Sequence, residues 1–252
     1  MAQPLSKSND WEDSEYAFLQ LAEIRLGLST AVAAITLLAS DDASKEKLRT
    51  LLAIKTSFSP NLDKEAIDGF VARIMENAEV HSDRGFHTFR ATSLVSMCAA
   101  LETLMKNILV QWMEPTGKWV KALDSAKIRF KATDFLLASE RERKFAIADE
   151  LWNAGAATNG HFEKIEKLFS LHLPLFSKEF AKLNSGVSRA DFNTAFVVRN
   201  CLVHDGGLAN SHVTQHTEFE VGERIVLTNV FAGRLFNAIQ ATAGAAWAST
   251  SL

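Results

Sequence analysis

The sequence predicts a mainly α-helical protein: a helical bundle with an N-terminal helical extension and one small β-hairpin. Three observations lead to this class. The 252 residues include only 12 glycines and 4 prolines, so few positions interrupt a helix. Apolar residues recur at three- and four-residue steps through several long segments, which is the spacing of one helix face. Near the C-terminus one segment alternates around Gly222 instead, as a short hairpin does.

The first 84 residues divide into a tail and a helical region. Residues 1–10 contain neither a basic start nor an apolar run, so we expect a disordered tail and no signal peptide. Residues 11–84 read as helices separated by polar breaks, and we expect this region to pack on the core. Its most apolar run, Leu26–Ala39, is too short to span a bilayer and predicts a buried helix.

Residues 85–252 form the predicted core domain. The most regular apolar spacing lies at its start, and Gly206 and Gly207 are expected to stop the helix that begins at Ser188. The final segment predicts a closing helix. The predicted elements include helices over Thr88–Met113, Ser139–Trp152, His161–Leu171, Ser188–His204 and Asn229–Trp247, a short helix between Pro174 and Leu183, and the hairpin near 217–228.

Charge and cysteine content limit the class of protein. The net charge of −3 argues against a strongly basic nucleic-acid binder. Residues 121–200, however, hold 13 basic and 10 acidic side chains, a balance of +3, so one face can still be basic. Cys98 and Cys201 lie in apolar helical patterns without histidines at ligand spacing. We therefore expect a cytoplasmic protein with no disulfide, metal or cofactor and no membrane association.

The end of the helix before Gly206 is the segment most informative about chemistry. Asn200 and His204 are four residues apart and share one face of this helix. Arg199 lies beside them on an apolar stripe, where a cation must be paired or must line a cleft. A cation, an amide and an imidazole that titrates near neutrality suit a phosphodiester. The stripe residues within about 60° of Arg199 on a helical wheel are Phe192, Ala195, Phe196, Leu202 and Val203.

A carboxylate occupies a similar position in the helix over Thr88–Met113. Glu102 lies at the centre of an apolar stripe on the helical wheel. Because an unpaired buried charge is costly, we predict an ion pair between Glu102 and Arg199 across a helix interface. A buried Glu–Arg pair with a histidine at the helix end also occurs as a purely structural arrangement, so this pattern alone leaves both interpretations open.

Residues 199–204, Arg-Asn-Cys-Leu-Val-His, resemble the Arg-Asn-x-x-x-His signature of the HEPN superfamily of helical ribonucleases. The Ala100–Lys106 segment resembles the first core helix of these domains. The predicted hairpin and closing helix resemble the RiboL-PSP-type branch, which occurs in bacterial conflict and phage-defence loci. The resemblance covers about residues 85–245. Some family toxins carry a tyrosine two residues after the motif histidine, whereas here that position is Gly206.

The resemblance implies a metal-independent endoribonuclease of HEPN type that cleaves RNA by attack of the ribose 2′-OH. Such a protein is a toxin or phage-defence effector, works as a homodimer with both motifs in one cleft, and can have a neutralising antitoxin protein. By this resemblance His204 is the general base and acid, and Arg199 stabilises the phosphorane charge. Asn200 orients the motif or the RNA, and Glu102 supports Arg199. No cofactor is required.

A basic stretch before residue 132 is the predicted RNA-binding segment. Trp119 and Phe130 are interleaved with its cations, and Asp124 is its one acid. Cations and aromatic rings spaced in this way can follow a nucleic-acid backbone. A solvated helix or loop face is the structural alternative. The cations are Lys118, Lys121, Lys127, Arg129 and Lys131.

A second class of function fits the same residues. A catalytically silent helical dimer module would use the motif to hold two chains together and would bind a protein or RNA partner. Substituting Arg199 would then cost stability or dimerisation, with no activity to lose. The two hypotheses differ in whether RNA cleavage depends on His204.

Overall fold

A computed structural model shows a mainly α-helical protein, as the sequence predicts. It describes residues 9–40, 42–56, 64–116, 138–154, 162–163, 165–166 and 189–250. Residues 1–8 of the expected tail lie outside this description. The helices within the described ranges are α1 (Asn9–Ser40), α2 (Asp42–Thr56), α3 (Lys64–Asp83), α4 (His87–Thr116), α5 (Glu140–Ala154), α6 (Arg189–His204) and α7 (Asn229–Thr250), with a 3-10 turn at Val213–Gln215.

Helix α4 lies at the centre of the bundle because it is apolar around most of its circumference. Helix α1 packs along α4, and α5, α6 and α7 each pack against it as well. A helix that is buried from several directions supplies most of the hydrophobic contacts of a small core. Its buried side chains include Leu94, Met97, Leu101, Leu104, Met105, Ile108 and Leu109.

Helix α1 is attached to the bundle through its N-terminal half. Gln111 Nε2 of α4 donates a hydrogen bond of 2.7 Å to Ser14 Oγ inside the core. The ring of Phe18 stacks on that of Trp247 in α7, with 5.4 Å between the centroids and 9° between the planes. These contacts join the N-terminal region to both α4 and α7.

The second half of α1 differs from the prediction. None of residues 26–38 is buried, so the expectation of a buried helix over Leu26–Ala39 is wrong. Composition predicted an apolar helix but could not show whether other elements would cover it. Two described segments, Ser14–Leu38 and His87–Gln111, are long and apolar enough to cross a membrane by length and composition. The second is 67% buried in the bundle, whereas the first is 6% buried.

Helix α5 begins with a capping box. Ser139 Oγ accepts a hydrogen bond of 3.3 Å from the Glu142 N–H, and Glu142 Oε2 accepts one of 2.7 Å from the Ser139 N–H. These reciprocal bonds satisfy two backbone donors near the helix start. The predicted start of this helix at Ser139 therefore agrees with the structure.

Two glycines end α6 and turn the chain back. Gly206 and Gly207 have φ angles of +62° and +80°, in the left-handed region that glycine adopts without a Cβ clash. The Gly207 N–H donates a hydrogen bond of 3.0 Å to the Cys201 carbonyl, which satisfies an acceptor in the last turn. The helix ends at His204, where the glycine pair predicted it to stop.

The hairpin predicted at 217–228 is not formed. A tight turn does occur at Gly222, whose φ is +85°. The residues around this turn pair with the segment that follows α6: Ala209 forms backbone hydrogen bonds of 2.8 Å with both Gly222 and Glu223. This arrangement leaves Ile225 with no exposed surface. The turn at Gly222 was predicted correctly, whereas local alternation carries no information about a distant pairing partner.

We expect Gly206→Ala to lower the free energy of unfolding by about 1 kcal/mol, because alanine is strained at a left-handed φ. No atom lies within 4 Å of the added Cβ, so backbone strain is the cause. Gly69→Ala in α3 is the matched control, since it has equal space and a helical backbone, and it should stabilise the protein by about 0.5–1 kcal/mol. Thermal unfolding of the two variants should shift in opposite directions; a shared direction would contradict the assigned turn.

Candidate functional site

Helix α6 is held firmly by its first two turns. Arg234 of α7 donates a hydrogen bond of 3.1 Å from Nε to Asp191 Oδ1. Asn193 Oδ1 accepts one of 2.7 Å from the backbone N–H of Phe162. The ring of Phe192, fully buried, packs edge-on against that of Phe162. The start of α6 is therefore fixed, and its other end projects the motif residues.

The motif occupies the last turns of α6. Arg199 and Asn200 are half-buried, and His204 is exposed. Arg199 Nη1 donates a hydrogen bond of 2.9 Å to Asn200 Oδ1. Arg199 Nε is buried and has no hydrogen-bond partner among the residues that the structure describes. A buried donor without a partner is costly, and it is the kind of group that a bound anion satisfies.

Arg199 lies at the edge of the buried surface of α6. The helical wheel had predicted a position at the centre of that surface. The second half of α6 is buried through Val198 and Cys201, whereas Val203 is 46% exposed. The sequence predicted a buried stripe that includes Val203, because residue type does not show which side of the end of α6 packs on the bundle. The edge position leaves the guanidinium between the core and solvent.

The predicted ion pair between Glu102 and Arg199 is not formed. Glu102 Oε1 instead lies 3.1 Å from Nζ of Lys106, one turn further along α4. Lys106 also pairs with Asp149 of α5. A cation four residues away satisfies the carboxylate within its own helix, so no partner from α6 is required.

Cys98 lies within the electrostatic reach of both charges. Burial raises the pKa of the Cys98 thiol to about 12; the positive charge of Arg199 opposes this shift and the negative charge of Glu102 adds to it. Both charges therefore lie near the Cys98 thiol, although Glu102 and Arg199 form no ion pair with each other. A thiol with this pKa stays protonated at neutral pH, so Cys98 is no nucleophile.

His87, at the start of α4, is a second histidine with defined hydrogen-bond partners, and the sequence did not indicate it. The Leu227 N–H donates a hydrogen bond of 2.9 Å to His87 Nδ1, so the proton of the neutral ring lies on Nε2. Arg90 Nη1 donates to the Leu227 carbonyl at 3.2 Å and also to the Gly85 carbonyl. Burial lowers the pKa of His87, and the charges of Arg224 and Arg90 lower it further.

Backbone hydrogen bonds connect the segment that binds His87 to the segment that follows the motif. The Ile225 N–H donates a hydrogen bond of 2.9 Å to the carbonyl of Gly207, three residues after His204. Leu227, two residues further on, makes the contacts to the start of α4. Residues 225–227 thus join the C-terminal end of α6 to the N-terminal end of α4. No sequence signal marks His87, because its partner is a backbone amide 140 residues away.

Exposed apolar side chains occur at the end of α6, on the segment that follows it and in the first turn of α7. Each is between 42% and 76% exposed, although all belong to apolar residue types. Large exposed apolar residues of this kind mark a candidate surface for another molecule. We call these five residues the α6-end patch: Val203, Leu208, Val221, Val226 and Val230.

Two further expectations concern RNA contacts and metals. The described ranges contain no group of three or more His, Cys, Asp or Glu side chains that could hold a metal ion. The basic stretch predicted to bind RNA lies outside the described residues: Lys118, Lys121, Lys127, Arg129 and Lys131.

The end of α6 presents three kinds of polar group within six residues. Asn200 directs its oxygen to Arg199, and no other described residue accepts a hydrogen bond from its amide nitrogen, which can therefore donate to a ligand. The exposed imidazole of His204 can exchange protons with solvent or with a bound molecule. Such a set can bind an anion and transfer a proton without a metal.

The chain has no significant match among protein-family models, functionally characterised proteins or solved structures. The function is therefore inferred from the geometry and chemistry of the described residues. The feature that carries most weight is the Arg199–Asn200 pair one turn before an exposed histidine.

We expect the folded protein to lose stability as the pH falls below about 6.5, the ordinary pKa of histidine. The pKa of His87 is lower in the folded than in the unfolded state, so the unfolded chain takes up the proton first. His87→Asn keeps an acceptor for the Leu227 N–H but does not titrate, so it should flatten this pH dependence. Chemical denaturation at pH 5 to 8 measures the effect.

The matched variant His87→Ala leaves the Leu227 N–H, in a residue with no exposed surface, without its acceptor. It should lower the free energy of unfolding at pH 7.5 by about 1–3 kcal/mol. Equal stability of the asparagine and alanine variants at pH 7.5 would contradict this hydrogen bond.

Proposed function

We propose that this protein is a metal-independent endoribonuclease of HEPN type that cleaves RNA at the end of α6. The observation that supports it best is the hydrogen bond between Arg199 and Asn200, with His204 exposed one turn later. Within the described ranges Arg199 has a donor without a partner and no carboxylate paired with it, which suits the phosphate of a nucleic acid. The HEPN-type arrangement of the helices is part of the same proposal.

The reaction we propose is attack of a ribose 2′-OH on the adjacent phosphorus. His204 accepts the proton of the 2′-OH, a bond forms between O2′ and phosphorus, and the bond from phosphorus to O5′ breaks. The protonated His204 then donates this proton to the leaving O5′, which gives a 2′,3′-cyclic phosphate and a 5′-hydroxyl and restores the neutral imidazole. Arg199 stabilises the negative charge that develops on the phosphorane oxygens, and Asn200 positions the guanidinium and the RNA. Glu102 takes no direct part in the proposed reaction, because it pairs with Lys106.

The RNA substrate is proposed from the charge of Arg199 and from the basic stretch, and not from the segment between α6 and α7. That segment carries Arg224, but also Asp205, Glu218, Glu220 and Glu223. The basic stretch would then extend the path of the RNA backbone: Lys118, Lys121, Lys127, Arg129 and Lys131. In the cell we propose a cytoplasmic toxin or phage-defence effector, with a neutralising antitoxin protein as partner.

We predict that His204→Ala lowers the rate of RNA cleavage by at least about 100-fold, because it removes the proton-transfer group. His216→Ala, which changes another exposed histidine, is the matched control and should retain full activity. Cleavage of a labelled RNA by the purified chain should continue in EDTA. Activity abolished by EDTA and restored by magnesium would disprove the mechanism.

The same variants separate this function from a catalytically silent dimer module. Expression of the wild type in a bacterium should arrest growth, and expression of His204→Ala should not. A purified wild type that binds RNA without cutting it, and is as harmless as His204→Ala, would instead favour the silent module.

Homodimerisation through the α6-end patch is the assembly we propose for catalysis. A twofold axis near Arg199, Asn200 and His204 brings the same patch of both chains together and covers it. Val230 is the most exposed member, at 76%. Such an axis would also place two motifs beside one RNA cleft.

We predict that Val230→Glu halves the mass of the assembly and impairs RNA cleavage, because two carboxylates would meet at the interface. Leu51→Glu, at an exposed leucine of α2, is the control and should change neither property. Analytical ultracentrifugation at micromolar concentration measures the mass. A wild type that is monomeric under these conditions would refute the proposed dimer.

A further inference from the structure

Helix α1 carries a stripe of exposed residues with the spacing of a coiled coil. The steps between its members alternate between three and four residues over 22 residues, which gives a mean period of 3.5. Five of the seven members are apolar, and the four largest are 50% to 69% exposed. We call this set the α1 stripe: Tyr16, Leu19, Glu23, Leu26, Thr30, Ala33 and Leu37.

The α1 stripe faces away from the bundle. The opposite side of α1 is occupied: Ala17 and Leu21 are buried, and Arg25 is hydrogen-bonded to Gln240 of α7. On a helical wheel the two sets lie on opposite sides of the helix. The stripe is therefore a second seam, separate from the surface by which α1 packs on α4.

We propose that the α1 stripe binds the α1 stripe of a second copy of this chain, with the two helices antiparallel. Alternating steps of three and four residues allow the side chains of two helices to interlock along a common seam. The 22 residues provide a seam of roughly 33 Å at 1.5 Å per residue. This inference does not depend on the proposed nuclease activity.

The position of Glu23 selects the antiparallel arrangement. In a parallel pair each stripe residue faces its own copy, so two Glu23 carboxylates would repel each other within the seam. In an antiparallel pair in which Leu19 faces the partner's Leu37, Glu23 faces the partner's Ala33. Antiparallel helices also place opposite dipole ends next to each other.

The large side chains of the stripe supply part of the area that a dimer seam needs, and the flanking residues must supply the rest. The four large apolar side chains leave on the order of 400 Å² open, about half of the ~800 Å² that each partner contributes to a standard interface. Small exposed residues flank the stripe and permit close approach of a second helix. These flanking residues are Ala22, Gly27 and Ala34.

A lipid bilayer is a poorer occupant of this surface. Glu23 lies within the stripe, and a charge in the hydrocarbon of a membrane is costly. A spanning α1 would also have to break the Phe18–Trp247 stack and the Arg25–Gln240 hydrogen bond. Pairing with a second α1 covers the apolar side chains and keeps both contacts.

The test is the mass of the full-length protein in solution. Leu26→Glu, at the most exposed leucine of the stripe, should weaken association through α1 at least 10-fold and halve the mass at micromolar concentration. The change is from tetramer to dimer if the α6-end patch also pairs, and from dimer to monomer if it does not. Leu51→Glu is the matched control, since it changes a leucine of α2 that is 60% exposed, and it should leave the mass unchanged. Circular dichroism should show equal helix content in both variants.

Cysteine cross-linking tests the orientation. A mixture of the Leu19→Cys and Leu37→Cys proteins should form a disulfide between the two variants, and Leu19→Cys alone should form none. The native thiols do not compete, because Cys98 and Cys201 are buried. Cross-linking of Leu19→Cys to itself would overturn the antiparallel arrangement.

Two other outcomes would overturn the proposal. The first is a mass that Leu26→Glu does not change. The second is co-sedimentation of the wild type, but not of Leu26→Glu, with phosphatidylglycerol vesicles, which would assign the stripe to a lipid surface. RNA cleavage provides an independent readout: Leu26→Glu should retain it, whereas Val230→Glu should not, so failure of one proposal does not imply failure of the other.

Discussion

Helix α4 has to be covered around most of its circumference, and the arrangement of the other helices follows from that requirement. Its apolar side chains from Leu94 to Leu109 would otherwise meet water, so α1, α5, α6 and α7 each cover part of it. Only part of each covering helix is needed for this purpose. The end of α6 and the second half of α1 are therefore left at the surface, and these are the two parts of the protein to which we assign functions.

The charges along α4 explain why Arg199 stays available. Lys106 neutralises Glu102 within its own helix and reaches Asp149 of α5, so the carboxylate expected to pair with Arg199 is already satisfied. Arg199 then makes one hydrogen bond, to the neutral Asn200, within the part of the chain that the structure describes. A cation held by an amide and not by a carboxylate retains its full charge for an anion, which a buried Glu–Arg pair would not.

The segment after α6 links the motif to the rest of the bundle. Residues 207–209 pair with 222–225, and two residues later Leu227 is bound by both His87 and Arg90 at the start of α4. The C-terminal end of α6 and the start of α4 share this segment. A change in the protonation of His87 is therefore expected to alter the backbone hydrogen bonds that follow His204. The α1 stripe lies on a different helix, so chain association through α1 and chemistry at α6 can vary independently.

Local spacing was sufficient to predict the helical class, the end of α6 at the glycine pair and the placement of Asn200 and His204 on one face, because each depends on residues within a few positions of one another. The hairpin at 217–228, the Glu102–Arg199 pair and the buried second half of α1 were wrong, and His87 carried no signal. The hairpin and His87 depend on distant partners: Ala209 pairs with the turn at Gly222, and His87 binds a backbone amide 140 residues away. The surface of α1 depends on which other helices cover it. The Glu102–Arg199 pair is prevented by a local competitor, Lys106, four residues away in the same helix. Such competition is resolved only when the helices pack, since burial decides which pairing leaves the fewest polar groups unsatisfied and the least apolar surface in water.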